Sequence, residues 1–271
     1  MEAKISDRSK RSAINIAFVH HKGGTGKTTS CLNIAGWLVK MNNKVLVVDL
    51  DPQGNATAGL AVDRKTITGS LYEALFGQKK IEEIILETDS GVFLAPSSSH
   101  LLASEMHMAG QINATRILKD ALYNVQKHFD YILVDVPPGS PLLMINGIVA
   151  TENIIIPLDS GVFAFEAMEI LKEILADLNK NFGVETNLIM VLLKECAVSF
   201  FENGPTREVK KMLKAFLSEN NIPAVKIFTI PFSKKVYKAQ MRGAPISHYS
   251  PHCDVGRSYK KITKEIMRYG L

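Results

Sequence analysis

A chain of 271 residues, 46% hydrophobic and with a formal net charge of only +5, can bury one sizeable core, and no Pro/Gly/Ser-rich break marks off a second. Its longest apolar runs, such as Asn153–Leu158 and Leu188–Leu193, are far too short to cross a bilayer, and the opening MEAKISDRSKRSAINIAF lacks the pattern of a secretory signal. Cys31, Cys196 and Cys253 have neither CxxC nor metal-site spacing, so the expectation is a cytoplasmic protein with reduced structural thiols and no integral membrane association.

Taken in chain order, residues 1–12 read as a basic, flexible arm ahead of a single domain over 13–271. Short, β-branched runs predict strands at Ile14–His20, Lys44–Asp49, Gly91–Ala95, Tyr131–Val136, Asn153–Leu158, Asn187–Leu193 and Ala224–Ile230. Apolar residues recurring every three or four positions predict helices at Lys27–Lys40, Ala114–Lys127, Phe165–Asn179, Arg207–Glu219 and Gly256–Tyr269. Near-continuous apolar strands alternating with helices imply an α/β, doubly wound fold: a mostly parallel sheet of about seven strands covered by helices on both faces.

Between the first strand and first helix lies His20-His21-Lys22-Gly23-Gly24-Thr25-Gly26-Lys27-Thr28-Thr29. Its glycines let successive backbone N–H groups turn toward a phosphate chain, and the following helix adds the positive end of its dipole. Lys27 can then reach the terminal phosphates, and Thr28 carries the hydroxyl that a phosphate loop uses to hold Mg²⁺. The ordinary GxxxxGK[ST] pattern would place glycine at His21. The pattern here is instead KGGxGK[ST], which resembles the deviant Walker A of the ParA/MinD superfamily of P-loop NTPases. That resemblance implies ATP and Mg²⁺ as cofactors, phosphates held by residues 22 to 29, and a homodimer in which Lys22 contacts the partner's phosphates in trans.

The second strand ends in Asp49-Leu50-Asp51-Pro52-Gln53-Gly54-Asn55-Ala56-Thr57, and in a doubly wound sheet strand ends of this kind gather at the ligand. The run is similar to switch I of ParA proteins, which implies that Asp51 orients the attacking water and that Asp49 supports the Mg²⁺ region. Asp135 closes the apolar strand Tyr131–Val134 and is placed to hold Mg²⁺ through water, with Val136-Pro137-Pro138-Gly139 similar to the family's switch II. Lys27, Lys22 and Asp51 are thus the expected catalytic residues, and Thr28, Asp49 and Asp135 the metal residues. The resemblance also places the adenine near Lys194, Pro231 and Phe232, although relatives commonly carry asparagine or threonine where this chain has Lys194.

Charge is uneven along the chain. Residues 204–271 hold 14 Lys/Arg against 4 Asp/Glu, a net of +10, and the remainder is mildly acidic. Such concentration is the footprint of a polyanion binder, the alternative being a merely solvated face. By resemblance, C-terminal basic residues bind double-stranded DNA without sequence preference; the candidates are Lys234, Lys235, Lys238 and Arg242, with Lys260, Lys264 and Arg268 as a second group. The implied function is a slow, partner-stimulated ATPase that partitions DNA or positions a large cargo, associated with the nucleoid and served by a ParB-like or cargo-adaptor protein. Two other readings share the phosphate loop. A metallocentre ATPase resembling nitrogenase iron protein lacks a cysteine pair here, and a MinD-like membrane switch lacks an amphipathic tail.

Overall fold

The computed structural model describes residues 12–159, 185–195, 204–220 and 225–269, with scattered positions between 166 and 183. The expected arm at 1–12 therefore lies outside the described residues except for Ser12, whose hydroxyl donates to Gln126 Oε1 at 2.7 Å. Of the helix expected over 165–179, eight of the fifteen positions are described, and all eight are helical.

Among the described residues eight strands form one sheet: β1 (Ile14–Phe18), β2 (Val45–Asp49), β3 (Leu86–Glu87), β4 (Phe93–Ala95), β5 (Tyr131–Asp135), β6 (Asn153–Asp159), β7 (Asn187–Lys194) and β8 (Lys226–Ile230). Their order is β3-β4-β2-β5-β1-β6-β7-β8. Every pairing is parallel except β3 with β4, a two-residue antiparallel edge that makes eight strands of the expected seven. So short a strand carries no alternating pattern for sequence to reveal.

Alternation along each strand feeds two cores. Ala17, Leu46, Val48, Ile132 and Val134 face one side of the sheet, and Ile16, Phe18, Val45, Val47 and Leu133 face the other. On the second face lie α1 (Lys27–Lys40) and the last helix, α10 (Asp254–Tyr269). Gly36 lets α1 approach the chain near Pro245, since a Cβ there would stand 2.5 Å from the Pro245 ring. Asn33 Oδ1 fastens the same contact by accepting the Ile246 N–H at 2.6 Å.

The first face is covered by α3 (Leu71–Leu75), α4 (Ser104–Met108), α5 (Ile117–Leu122), α6 (Pro141–Thr151) and α7 (Gly204–Glu219). Sequence periodicity predicts one helix over Ala114–Lys127, but α5 is shorter. Asn146 of α6 explains its start: its amide donates to Ala114 O at 2.7 Å while its Oδ1 accepts the Leu118 N–H at 3.1 Å. A continuous helix would have joined those two backbone groups directly. Beyond Leu122 the chain passes to a 3-10 turn at Gln126–His128. The α6 helix has no periodic signal because it is apolar on nearly all sides and, except for the half-buried Ile145, buried from Leu143 onward.

Two short helices complete the ring around the strand ends: α2 (Asn55–Gly59), after β2, and α8 (Lys234–Gln240), after β8. The four-residue α9 (Ile246–Tyr249) links α8 to α10.

Candidate functional site

Phe18 of β1 and Asp49 of β2 are both register partners of Asp135 on β5. The carboxyl ends of three adjacent strands therefore meet where the glycine-rich loop leaves β1. Gly24 and Gly26 adopt φ of +77° and +97°, which a residue with a Cβ reaches only under strain. Gly26 caps α1 without a side-chain hydrogen bond, so the first N–H groups of that helix are left for an anion.

Lys27 is 6% exposed, and its Nζ donates to the Lys22 carbonyl at 3.0 Å, holding the loop closed over itself. Burial lowers its pKa, while Asp135 and Asp51 act in the opposite sense. Lys22 extends outward and pairs with Glu166 at 3.2 Å. Its backbone N–H is fixed by His20 Nδ1 at 2.9 Å, which requires a neutral ring; burial, then the neighbouring His21 and Lys27, pull the His20 pKa down to about 4.

The carboxylates differ in their surroundings. Asp49 is fully buried, and its Oδ2 accepts both the N–H and the hydroxyl of Thr57, each at 2.7 Å. Burial outweighs those bonds and raises its pKa to about 6. The Asp51 carboxylate accepts the Gln53 N–H at 2.9 Å, and its backbone carbonyl accepts the Ser97 hydroxyl. Asp135 is fully buried with neither oxygen hydrogen-bonded. Burial first and Asp49 second push its carboxyl well above the usual range, while Thr28, near but short of hydrogen-bond geometry, lowers it.

Three buried carboxylates, Asp49, Asp51 and Asp135, stand beside the single buried ammonium of Lys27, so their full ionisation needs further positive charge, and the orphaned oxygens of Asp135 lack the partners that buried polar atoms normally have. A hydrated divalent cation fits that deficit. Among the described residues no group of three or more His, Cys, Asp or Glu is placed to hold a metal ion.

At the ends of β7 and β8, Lys194 lies beside Ile230 in register, with Pro231 and the half-exposed Phe232 immediately beyond. Lys194 folds back onto the phosphate loop: its Nζ donates to Gly24 O at 2.8 Å and pairs with Asp159 at 2.7 Å. The expected basic residues form two surfaces. Lys234, Lys235 and Lys238 are exposed on α8, and among the described residues their side chains make no ion pair; Arg242 lies over the Tyr249 ring at 5.4 Å. On α10, Lys264 is exposed, but Lys260 lies over the Trp37 ring at 5.1 Å and Arg268 pairs with Glu265 at 3.0 Å. The α8 group is therefore the less committed of the two.

Sequence reasoning passed over Glu166, Ser97, Asp159 and the role of Thr57. Thr57 had a signal, since it ends the Asp49–Thr57 run. Ser97 and Glu166 had none, because they reach the site from 46 and 144 residues away. Cys31 is buried and Cys253 half-buried, and Cys196 lies outside the described residues. No helix among the described residues is long and apolar enough to cross a membrane.

Comparison with known proteins identifies the family of the chain. A family model described as an AAA domain matches residues 13–190. The chain is 32% identical over 258 residues to the chromosome-partitioning ATPase Soj of Treponema pallidum, covering 93% of this chain and 96% of that protein. It is 29% identical to the sporulation initiation inhibitor protein Soj of Bacillus subtilis over 94% of this chain and 98% of that one. Among solved structures, an ATP complex of a Cyanothece McdA variant superposes with a TM-score of 0.82 at 22% identity, covering 94% of this chain and 97% of that one. On these matches, the chain belongs to the Soj/ParA family of chromosome-partitioning ATPases.

Proposed function

We propose that this chain is an ATP-switched, Mg²⁺-dependent dimer that binds duplex DNA without sequence preference and uses slow hydrolysis to partition DNA or position a large cargo. The observation that carries the reading is the meeting of Lys27, Thr28, Asp49, Asp51 and Asp135 at three adjacent strand ends, around two carboxylate oxygens with no partner.

The roles follow from what each group already does. The loop from Gly23 to Gly26 and the N–H groups of Thr28 and Thr29 cradle phosphate. Lys27 exchanges the Lys22 carbonyl, which it holds now, for phosphate oxygens. Thr28 and Asp135 would hold the cation, and Asp49 ties the segment after β2 to the metal end of the site through Thr57. Bound Mg²⁺ supplies neutralisation of the charge that develops on the transferred phosphoryl group. Asp51, anchored by Gln53 N–H, orients water. Positioning and charge stabilisation suffice for phosphoryl transfer, so no covalent residue is needed.

Lys22 leaves Glu166 to reach the phosphates of a second copy, which makes the dimer depend on ATP. Lys194, Pro231 and Phe232 flank the base. Two copies of α8 in one dimer then join two weak basic patches into one stronger surface. A ParB-like or adaptor protein stimulates turnover.

The test is binding to arbitrary-sequence duplex DNA by fluorescence anisotropy. ATP with Mg²⁺, but not ADP, should give binding whose log affinity falls linearly with log salt. Changing Lys234, Lys235 and Lys238 together to Glu should abolish it while leaving basal hydrolysis intact. Equal affinity in that variant would move the interface to the α10 face, and no binding by the wild-type chain in any nucleotide state would end the DNA reading.

A further inference from the structure

The last residue of the basic helix touches the phosphate loop. Gln240, at the end of α8, donates from Nε2 to Thr29 Oγ1 at 3.0 Å across 211 residues of sequence. Thr29 is the third residue of α1, where the uncapped N–H groups face the loop. A hydroxyl has one proton to give and two lone pairs. With a lone pair occupied by the Gln240 amide, the proton is directed elsewhere, and Asn33 bonds the Thr29 carbonyl rather than this hydroxyl.

We infer that Gln240 is a positioning residue for nucleotide binding: it occupies the acceptor side of the Thr29 hydroxyl and so aims its O–H at a phosphate oxygen held by the start of α1. The inference rests on the ATP-binding reading above and extends it to a residue outside the phosphate loop that acts through Thr29. A second contact holds the end of α8 in place. Gly243, at φ +59°, packs so tightly against Ala61 that a Cβ would stand 2.4 Å from the Ala61 Cβ. Ala61 lies just past α2, in the segment that continues from Asp51. The helix carrying Lys234, Lys235 and Lys238 is thus joined at its far end both to the phosphate helix and to the segment beyond the second strand. Any effect of nucleotide on DNA affinity through this joint must be matched by an equal effect of DNA on nucleotide affinity.

The experiment is titration of the full chain with a fluorescent ATP analogue and Mg²⁺, without DNA, with thermal melting as a check on folding. Gln240→Leu, which keeps the volume and removes the donor, should weaken binding about threefold to tenfold, the range for one ordinary hydrogen bond. Gln240→Glu should weaken it further, because an ionised carboxylate can only accept and turns the Thr29 proton away from phosphate. In a Thr29→Val background, Gln240→Leu should have no additional effect. Wild-type affinity in both Gln240 variants, or an undiminished effect of Gln240→Leu in the Thr29→Val chain, would overturn the assignment. A parallel titration with saturating duplex DNA separates the two readings. Tightening of nucleotide binding in the wild type that shrinks in Gln240→Leu supports the joint. No DNA effect in the wild type would remove the DNA reading and leave the role of Gln240, already decided by the DNA-free series.

Discussion

Asp49 and Thr57 are joined twice, the carboxylate oxygen Oδ2 accepting both the backbone N–H and the side-chain hydroxyl of Thr57 at 2.7 Å. The same hydroxyl accepts the Ser97 N–H at 3.0 Å, so one buried side chain ties the ends of β2 and β4 to the start of α2.

Replacing Thr57 by Val preserves shape but strands the Ser97 N–H and leaves Asp49 short of a donor inside a closed site. Leaving buried polar groups unsatisfied costs about 1 to 3 kcal/mol each, so a loss of about 2 kcal/mol is expected in urea unfolding, with ATPase activity falling as well. Thr57→Ser keeps the hydroxyl and should lie close to wild type. A valine variant with wild-type stability would show that the triple contact contributes little.

Asp51 offers a cleaner separation of binding from chemistry. Its carboxylate is tied to Gln53 alone among the described hydrogen bonds, and it acts on Lys27 of the phosphate cradle through charge rather than through a hydrogen bond. Asp51→Ala should therefore bind ATP with near-normal affinity, lose turnover and accumulate the ATP dimer. Normal hydrolysis would remove the water-orienting role, and failure to bind ATP would make Asp51 a support of the cradle.

Lys22 reaches outward to Glu166, whereas Lys27 reaches inward to the Lys22 carbonyl. Lys22→Ala should keep nucleotide binding, because the backbone carbonyl and the loop remain, yet give no ATP-dependent dimer in size-exclusion chromatography with light scattering. An intact ATP dimer in that variant would exclude a trans contact.

His20 makes the phosphate loop sensitive to acid. Its pKa in the fold, about 4, lies below the ordinary histidine value of 6.5, so the folded chain binds fewer protons than the unfolded chain between those limits. The contribution of neutral His20 is complete above pH 6.5 and is lost progressively as pH falls toward 4. Urea midpoints of the nucleotide-free chain should drop across that window, and His20→Asn, whose amide oxygen can still accept the Lys22 N–H, should flatten the profile. Parallel profiles for the two chains would assign the acid sensitivity elsewhere.

Ten consecutive residues, His20 to Thr29, were enough to announce the phosphate loop, because its conformation depends on glycines acting locally and on the helix that follows. The three carboxylates were legible for a related reason: each closes or follows an apolar strand, and the ends of parallel strands share one edge of the sheet. The strands themselves could be read because both faces are buried, which makes them continuous apolar runs. Sequence could not supply the partners of these groups. The Glu166 contact to Lys22, the Ser97 bond to Thr57, the fold-back of Lys194 onto Gly24 and the Gln240 bond to Thr29 span 40 to 211 residues, and no local pattern encodes which distant polar atom will arrive. Even the division of the 114–127 region was decided at long range, by Asn146 taking up backbone groups that a periodic helix would have paired within itself. Local conformation and burial are written along the chain, whereas hydrogen-bond pairing between elements is fixed only when packing brings them within about 3 Å.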